Sequence, residues 1–99
     1  MAITITNNYE TTQAYTEMTL SDGKYRIDYV ATGEVNKAPN NVQAYIGKVD
    51  GESVIRIGYA TYDNAVVSIR FDYTEYVTTV SNQATISTQF FNDLQSFLA

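Results

Sequence analysis

The sequence predicts a mainly β domain: a curved antiparallel meander of six to seven strands, with one C-terminal amphipathic helix packed on its concave face. Three observations carry that expectation. Apolar and polar residues alternate with a period of two along most of the chain, and thirteen Thr with nine Tyr favour pleated surfaces over helices. Asp-Gly dipeptides at 22–23 and 50–51 separate alternating segments, which is the signature of short hairpins. After Ser87 the apolar spacing changes to that of a helix.

Taken in order, a first short strand is expected near Ala2–Thr6, and the polar pair Asn7-Asn8 ends it. Ala14–Leu20 and Lys24–Thr32 then form a hairpin about Asp22-Gly23, setting Leu20 against Tyr25, Met18 against Ile27 and Thr16 against Tyr29. Gly33 to Asn41 holds the only proline, Pro39, among three asparagines, and reads as a true loop. Val42–Val49 and Glu52–Ala60 repeat the hairpin about Asp50-Gly51, pairing Ile46 with Ile55, Ala44 with Ile57 and Val42 with Tyr59. Gly47 and Gly58 inside these strands mark bends or bulges. A three-residue turn at Tyr62-Asp63-Asn64 leads to Ala65–Phe71, because that register sets Ile57 against Ile69 where a two-residue turn sets it against Arg70. Asp72–Glu75 turns into a last strand over Tyr76–Val80. Beyond Ser87, the expected N-cap, Phe90, Phe91, Leu94, Phe97 and Leu98 form the helical stripe.

Residues 1–99 are the size of one domain with one core. Hydrophobic residues make up 44% and charged residues 17%, too apolar a balance for disorder, and no apolar run reaches the length of a membrane span. The chain has neither Cys nor His, which removes disulfides, thiol nucleophiles, the commonest acid–base group and the commonest transition-metal ligands. None of Lys24, Lys37 and Lys48 stands in a Ser-x-x-Lys spacing, and no glycine-rich phosphate loop or calcium-loop ligand pattern is present. No cofactor, metal or enzymatic activity is expected. Net charge −5 disfavours nucleic acid and anionic membranes as partners. The N-terminal Met1-Ala2-Ile3-Thr4-Ile5 lacks the basic and apolar regions of a signal peptide, so the expected location is intracellular, or the virion for a viral protein.

One short pattern recurs: Tyr25-Arg26-Ile27-Asp28-Tyr29, Ile55-Arg56-Ile57-Gly58-Tyr59 and Ile69-Arg70-Phe71-Asp72-Tyr73, which together hold every arginine. Alternation places Ile27, Ile57 and Phe71 with their flanking tyrosines on the buried face, and Arg26, Arg56 and Arg70 on the other. In the expected register Arg56 and Arg70 are cross-strand neighbours, with Tyr45 opposite Arg56 as a stacking surface and Asp72 following on the same face. Guanidinium forks beside a ring suit phosphate or carboxylate, so Arg26, Arg56, Arg70 and Tyr45 are the candidate ligand-binding residues.

Six strands side by side outgrow a single helix, so either the sheet curls around it or a second copy or a partner covers the remaining apolar surface. Together with the missing catalytic groups, this points to a non-enzymatic interaction or assembly protein acting on a protein partner or on itself as a homo-oligomer. In size, acidity and a Thr/Asn/Tyr-rich surface the chain resembles small bacteriophage or bacterial accessory proteins, among them inhibitors and capsid-decorating parts. The alternative is a binding module that sequesters an anionic metabolite or nucleotide on the Arg/Tyr face.

Overall fold

A computed structural model describes residues 9–34, 37–71 and 78–99. Five strands lie in sequence order in one antiparallel sheet: β1 (Tyr9–Leu20), β2 (Gly23–Glu34), β3 (Asn41–Asp50), β4 (Ser53–Asp63) and β5 (Val66–Arg70). One helix, α1 (Val80–Leu98), follows and packs on one face. The mainly β meander with a C-terminal helix is therefore present, with five strands among the described residues rather than six or seven. The expected strand at Ala2–Thr6 and the turn at Asp72–Glu75 lie outside those residues. So do Tyr76 and Val77, while Thr78 and Thr79 are not strand and Val80 begins the helix.

The core is built from alternate residues of β2 and β3, two residues of the bulged β4 and every fourth residue of α1. Tyr25, Ile27, Tyr29 and Ala31 of β2, Val42, Ala44 and Ile46 of β3, and Ile57 and Ala60 of β4 meet Ile86, Phe90 and Leu94 of the helix. Met18 and Leu20 of β1 and Ile69 of β5 are only partly buried against this cluster, because one helix covers the middle of the sheet better than its edges.

The hairpin turns differ from the sequence expectation by one or two residues. Leu20 pairs with Gly23 across Ser21-Asp22, so Met18 opposes Tyr25, Thr16 opposes Ile27 and Ala14 opposes Tyr29. A shift of two residues leaves every side chain on its expected face, and hydrophobic alternation does not distinguish the two registers. Side-chain chemistry does: with Asp22 in the turn, its carboxylate accepts from the Tyr25 hydroxyl (2.8 Å), the Thr78 hydroxyl (3.0 Å) and the Asn82 amide (2.8 Å). That network pins the start of the helix to the first hairpin.

Between β3 and β4 the turn residues are Gly51-Glu52, with Gly51 at φ +62°, and a bulge shifts the register at Ile46/Gly47. Gly47 pairs with Arg56 and Ile46 with Gly58, leaving Ile57 as the extra residue. This is the irregularity that Gly47 and Gly58 foretold. Gly58 is required where it stands, since a Cβ there would lie 2.6 Å from the Arg70 carbonyl oxygen. The shifted turn and the bulge together replace the expected pairs of Ile46 with Ile55, Ala44 with Ile57 and Val42 with Tyr59: Ala44 meets Ala60, and Val42 meets Tyr62.

The turn into β5 is shorter than expected. Asn64 (φ +46°) and Ala65 (φ +74°) form a two-residue connection, Asp63 pairs with Val66, and Ala60 pairs with Ile69. With the bulge absorbing one residue, this short turn sets Ile69 on the core side, where a three-residue turn would place it in an unbulged strand.

The helix begins two turns before the expected Ser87 cap. Thr79 is the N-cap, its side chain accepting from the Asn82 backbone N–H at 3.2 Å, and Ser87 lies mid-helix. The buried line is Asn82, Ile86, Phe90 and Leu94, whereas Phe91 is 44% exposed.

Candidate functional site

The face opposite α1 is the candidate site. The strand register fixes which residues stand side by side there. One row runs Tyr15, Asp28, Tyr45, Tyr59 and Arg70 from β1 to β5. The adjacent row runs Glu17, Arg26, Gly47 and Arg56.

Arg26, Arg56, Arg70 and Tyr45, the residues singled out from the sequence, all lie on this face. Arg56 and Arg70 are not cross-strand partners, however. Arg70 pairs with Tyr59 and Arg56 with Gly47, so the expected like-charge opposition is relieved by the bulge. Tyr45 opposes Tyr59, and Arg56 reaches diagonally to place its guanidinium 4.4 Å from the centre of the Tyr45 ring. Asp72, expected to follow Arg70, lies outside the described residues.

Tyr59 was expected in the core with Tyr25 and Tyr29, which are indeed buried. The extra residue Ile57 reverses the parity of β4 instead, sending Tyr59 to the open face, where its ring meets Tyr45 at 5.2 Å and 58°. Its hydroxyl titrates above the ordinary phenol value, chiefly because the ring is partly buried, with the Tyr45 hydroxyl adding to the effect. Tyr15 and Asp28 were also missed. The Arg26 guanidinium sits 3.9 Å over the Tyr15 ring while its Nε donates to Asp28 Oδ1 at 2.8 Å. The hydrogen bond to Asp28 raises the Arg26 pKa. At the end of the row Lys24 pairs with Glu17 at 2.6 Å, which holds that carboxyl below its usual range.

Two cations on this face are thus tied to carboxylates. Arg56 forms no ion pair among the described residues, and its partner is the Tyr45 ring. It borders a shallow hollow of about 220 Å³ lined by Asp28, Tyr45, Ile46, Gly47, Val54 and Arg56. The Tyr45 ring is itself held, its hydroxyl donating to Gln43 Oε1 at 2.9 Å.

A second hollow, of about 280 Å³, lies between β1, β2 and the end of α1, lined by Ala14, Thr16, Tyr29, Asp93, Ser96 and Phe97. Its polar groups are already satisfied. Asp93 accepts from the Tyr29 hydroxyl (2.6 Å), the Thr16 hydroxyl (2.8 Å) and the Gln89 amide (2.8 Å). Burial and that bond to Asp93 push the Tyr29 phenol far above its ordinary value. These groups hold the helix to the sheet.

Among the described residues no group of three or more metal-ligating carboxylates forms, and no helix is long and apolar enough to cross a membrane. No known family model matches the chain, nor does any curated protein or solved structure.

Proposed function

We propose that the protein is a non-enzymatic interaction module that binds a protein partner through the open face of its sheet. The observation that carries this reading is the ordered row Tyr15–Asp28–Tyr45–Tyr59–Arg70 with Arg26 and Arg56 laid over its rings. Tyr and Arg dominate the binding energy of protein interfaces, since each offers a large contact area with a polar end. Here the rings and guanidiniums are braced against each other before any partner arrives, which lowers the entropy cost of association. The chain has neither Cys nor His, and Asp93, the carboxylate of the second hollow, is already engaged in holding the helix.

A photo-crosslinking residue placed at Tyr59, and in parallel at exposed Gln95 on the outer side of α1, tests the assignment in the source cell. A discrete protein adduct from position 59 and none from position 95 supports it. Equal adducts from both positions, or none from position 59, overturn it.

One observation favours a second reading. Arg56 and the Tyr45 ring border the hollow near Gly47 with no carboxylate bound to that guanidinium among the described residues, an arrangement suited to a small anionic metabolite or nucleotide. Saturating phosphorylated ligand would then raise the melting temperature, and Arg56→Ser would remove that rise. An unchanged melting temperature across a nucleotide panel would exclude the small-ligand reading.

A further inference from the structure

The open face is complementary to itself in one orientation, and we propose that its occupant is a second copy of this chain, packed face to face about a two-fold axis that lies between the sheets and crosses the strands. This deepens the interface reading above and rests on it. The argument comes from the two central rows. An axis midway between them lays each strand over its own counterpart and brings one row over the other. Tyr15 then meets Glu17 of the second copy, Asp28 meets Arg26, Tyr45 meets Gly47 and Tyr59 meets Arg56, and every contact occurs twice.

Each of these contacts is favourable in kind. Asp28 and Arg26 are opposite charges, Arg56 finds a second ring, and Tyr45 packs on the Val54 side chain, which covers Gly47 at the hollow of about 220 Å³. The other in-plane axis, parallel to the strands, exchanges β2 with β4 and stacks Arg26 on Arg56, two like charges in a partly desolvated centre. Charge thus selects the first axis over the second.

The size also fits. Four strands of about ten residues and one of five, at about 4.8 Å by 3.4 Å per residue, give roughly 700 Å² per copy. A stable interface of standard size buries about that much on each partner. Face-to-face sheets pack with their strands within about 30° of alignment, so contacts near β3 at the centre are retained under the usual twist.

Sedimentation equilibrium across a concentration series tests the proposal with two charge reversals, Arg26→Glu and Asp28→Arg, after circular dichroism has shown that both fold. The wild type is expected to dimerise, and each variant alone to dissociate at least tenfold more readily, because its own copies place like charges together. An equimolar mixture is expected to recover the dimer. In the mixed pair the carboxylate introduced by Arg26→Glu meets the guanidinium introduced by Asp28→Arg, and the unaltered Asp28 of one chain meets the unaltered Arg26 of the other. A wild type that stays monomeric throughout, or a mixture no tighter than either variant alone, overturns the two-fold assembly. If that occurs while position 59 still crosslinks to a different protein, the interface reading stands and only the second copy is excluded.

Discussion

Phe90→Ala and Phe91→Ala form a matched pair that tests how the helix is seated. The two residues are neighbours on α1, and both belong to the apolar stripe visible in the sequence. In the fold Phe90 is fully buried, stacked on Tyr29 with ring centres 6.3 Å apart, while Phe91 is 44% exposed and touches the Phe90 ring at 5.7 Å. Deleting a buried phenylalanine ring costs about 3–5 kcal/mol, from lost transfer energy and the cavity left behind. A domain of this size has a total stability of about 5–15 kcal/mol, so the loss is a large fraction of it. At roughly 4–8 °C per kcal/mol, Phe90→Ala is expected to lower the melting temperature by about 12–40 °C. Phe91→Ala gives up about half a ring's burial and one aromatic contact, about 1–3 kcal/mol. Thermal and urea melts followed by circular dichroism read both values. Equal losses for the two variants, or a larger loss from Phe91, would refute the placement of the helix.

Three further outcomes follow from the local chemistry. Ala65→Gly is expected to stabilise by about 1 kcal/mol, because Ala65 sits at φ +74° in the β4–β5 turn and only glycine enters that region without strain; a urea melt showing no gain argues against the two-residue turn. Gly58→Ala is expected to destabilise by about 1–3 kcal/mol and to speed amide exchange in β5, since the added methyl meets the Arg70 carbonyl. The Asp22 carboxyl is held below its ordinary value, first by the Tyr25 hydroxyl and then by that of Thr78. Its contribution to stability is therefore fully present above the unfolded value near pH 4 and is lost as pH falls through the lower folded value. Wild type is expected to exceed Asp22→Asn in melting temperature at pH 6, with the gap closing below about pH 4; a gap independent of pH contradicts the role of the ionised carboxylate.

What the sequence disclosed about the fold was the facing of side chains. Period-two alternation identified the strands, and Tyr25, Ile27 and Tyr29 are buried just where it placed them. It did not disclose register, because sliding a hairpin by two residues preserves every face; the Ser21-Asp22 turn is settled by hydrogen bonds to Thr78 and Asn82, more than fifty residues away. The start of the helix was hidden for a similar reason. Thr79 is a sound cap, but Val80-Ser81-Asn82 is a weak first turn by propensity with no acidic residue, and Asn82 is drawn into the Asp22 network and Ile86 into the core. On the candidate site, Arg26, Arg56, Arg70 and Tyr45 were legible as one face. Tyr59 was not, since a single extra residue at the bulge reverses the parity of everything after it, and the two glycines gave only the place where such a reversal was possible.

The most direct measurement of the open face as the contact surface is a concentration series of amide NMR spectra on the wild-type chain. Shifts at Arg26, Gly47, Arg56 and Tyr59 are expected to move together as the protein is concentrated, with exposed helix positions such as Ser81, Thr85 and Gln95 staying fixed. Movement confined to the helix, or no movement up to the solubility limit, would contradict an open-face contact between copies.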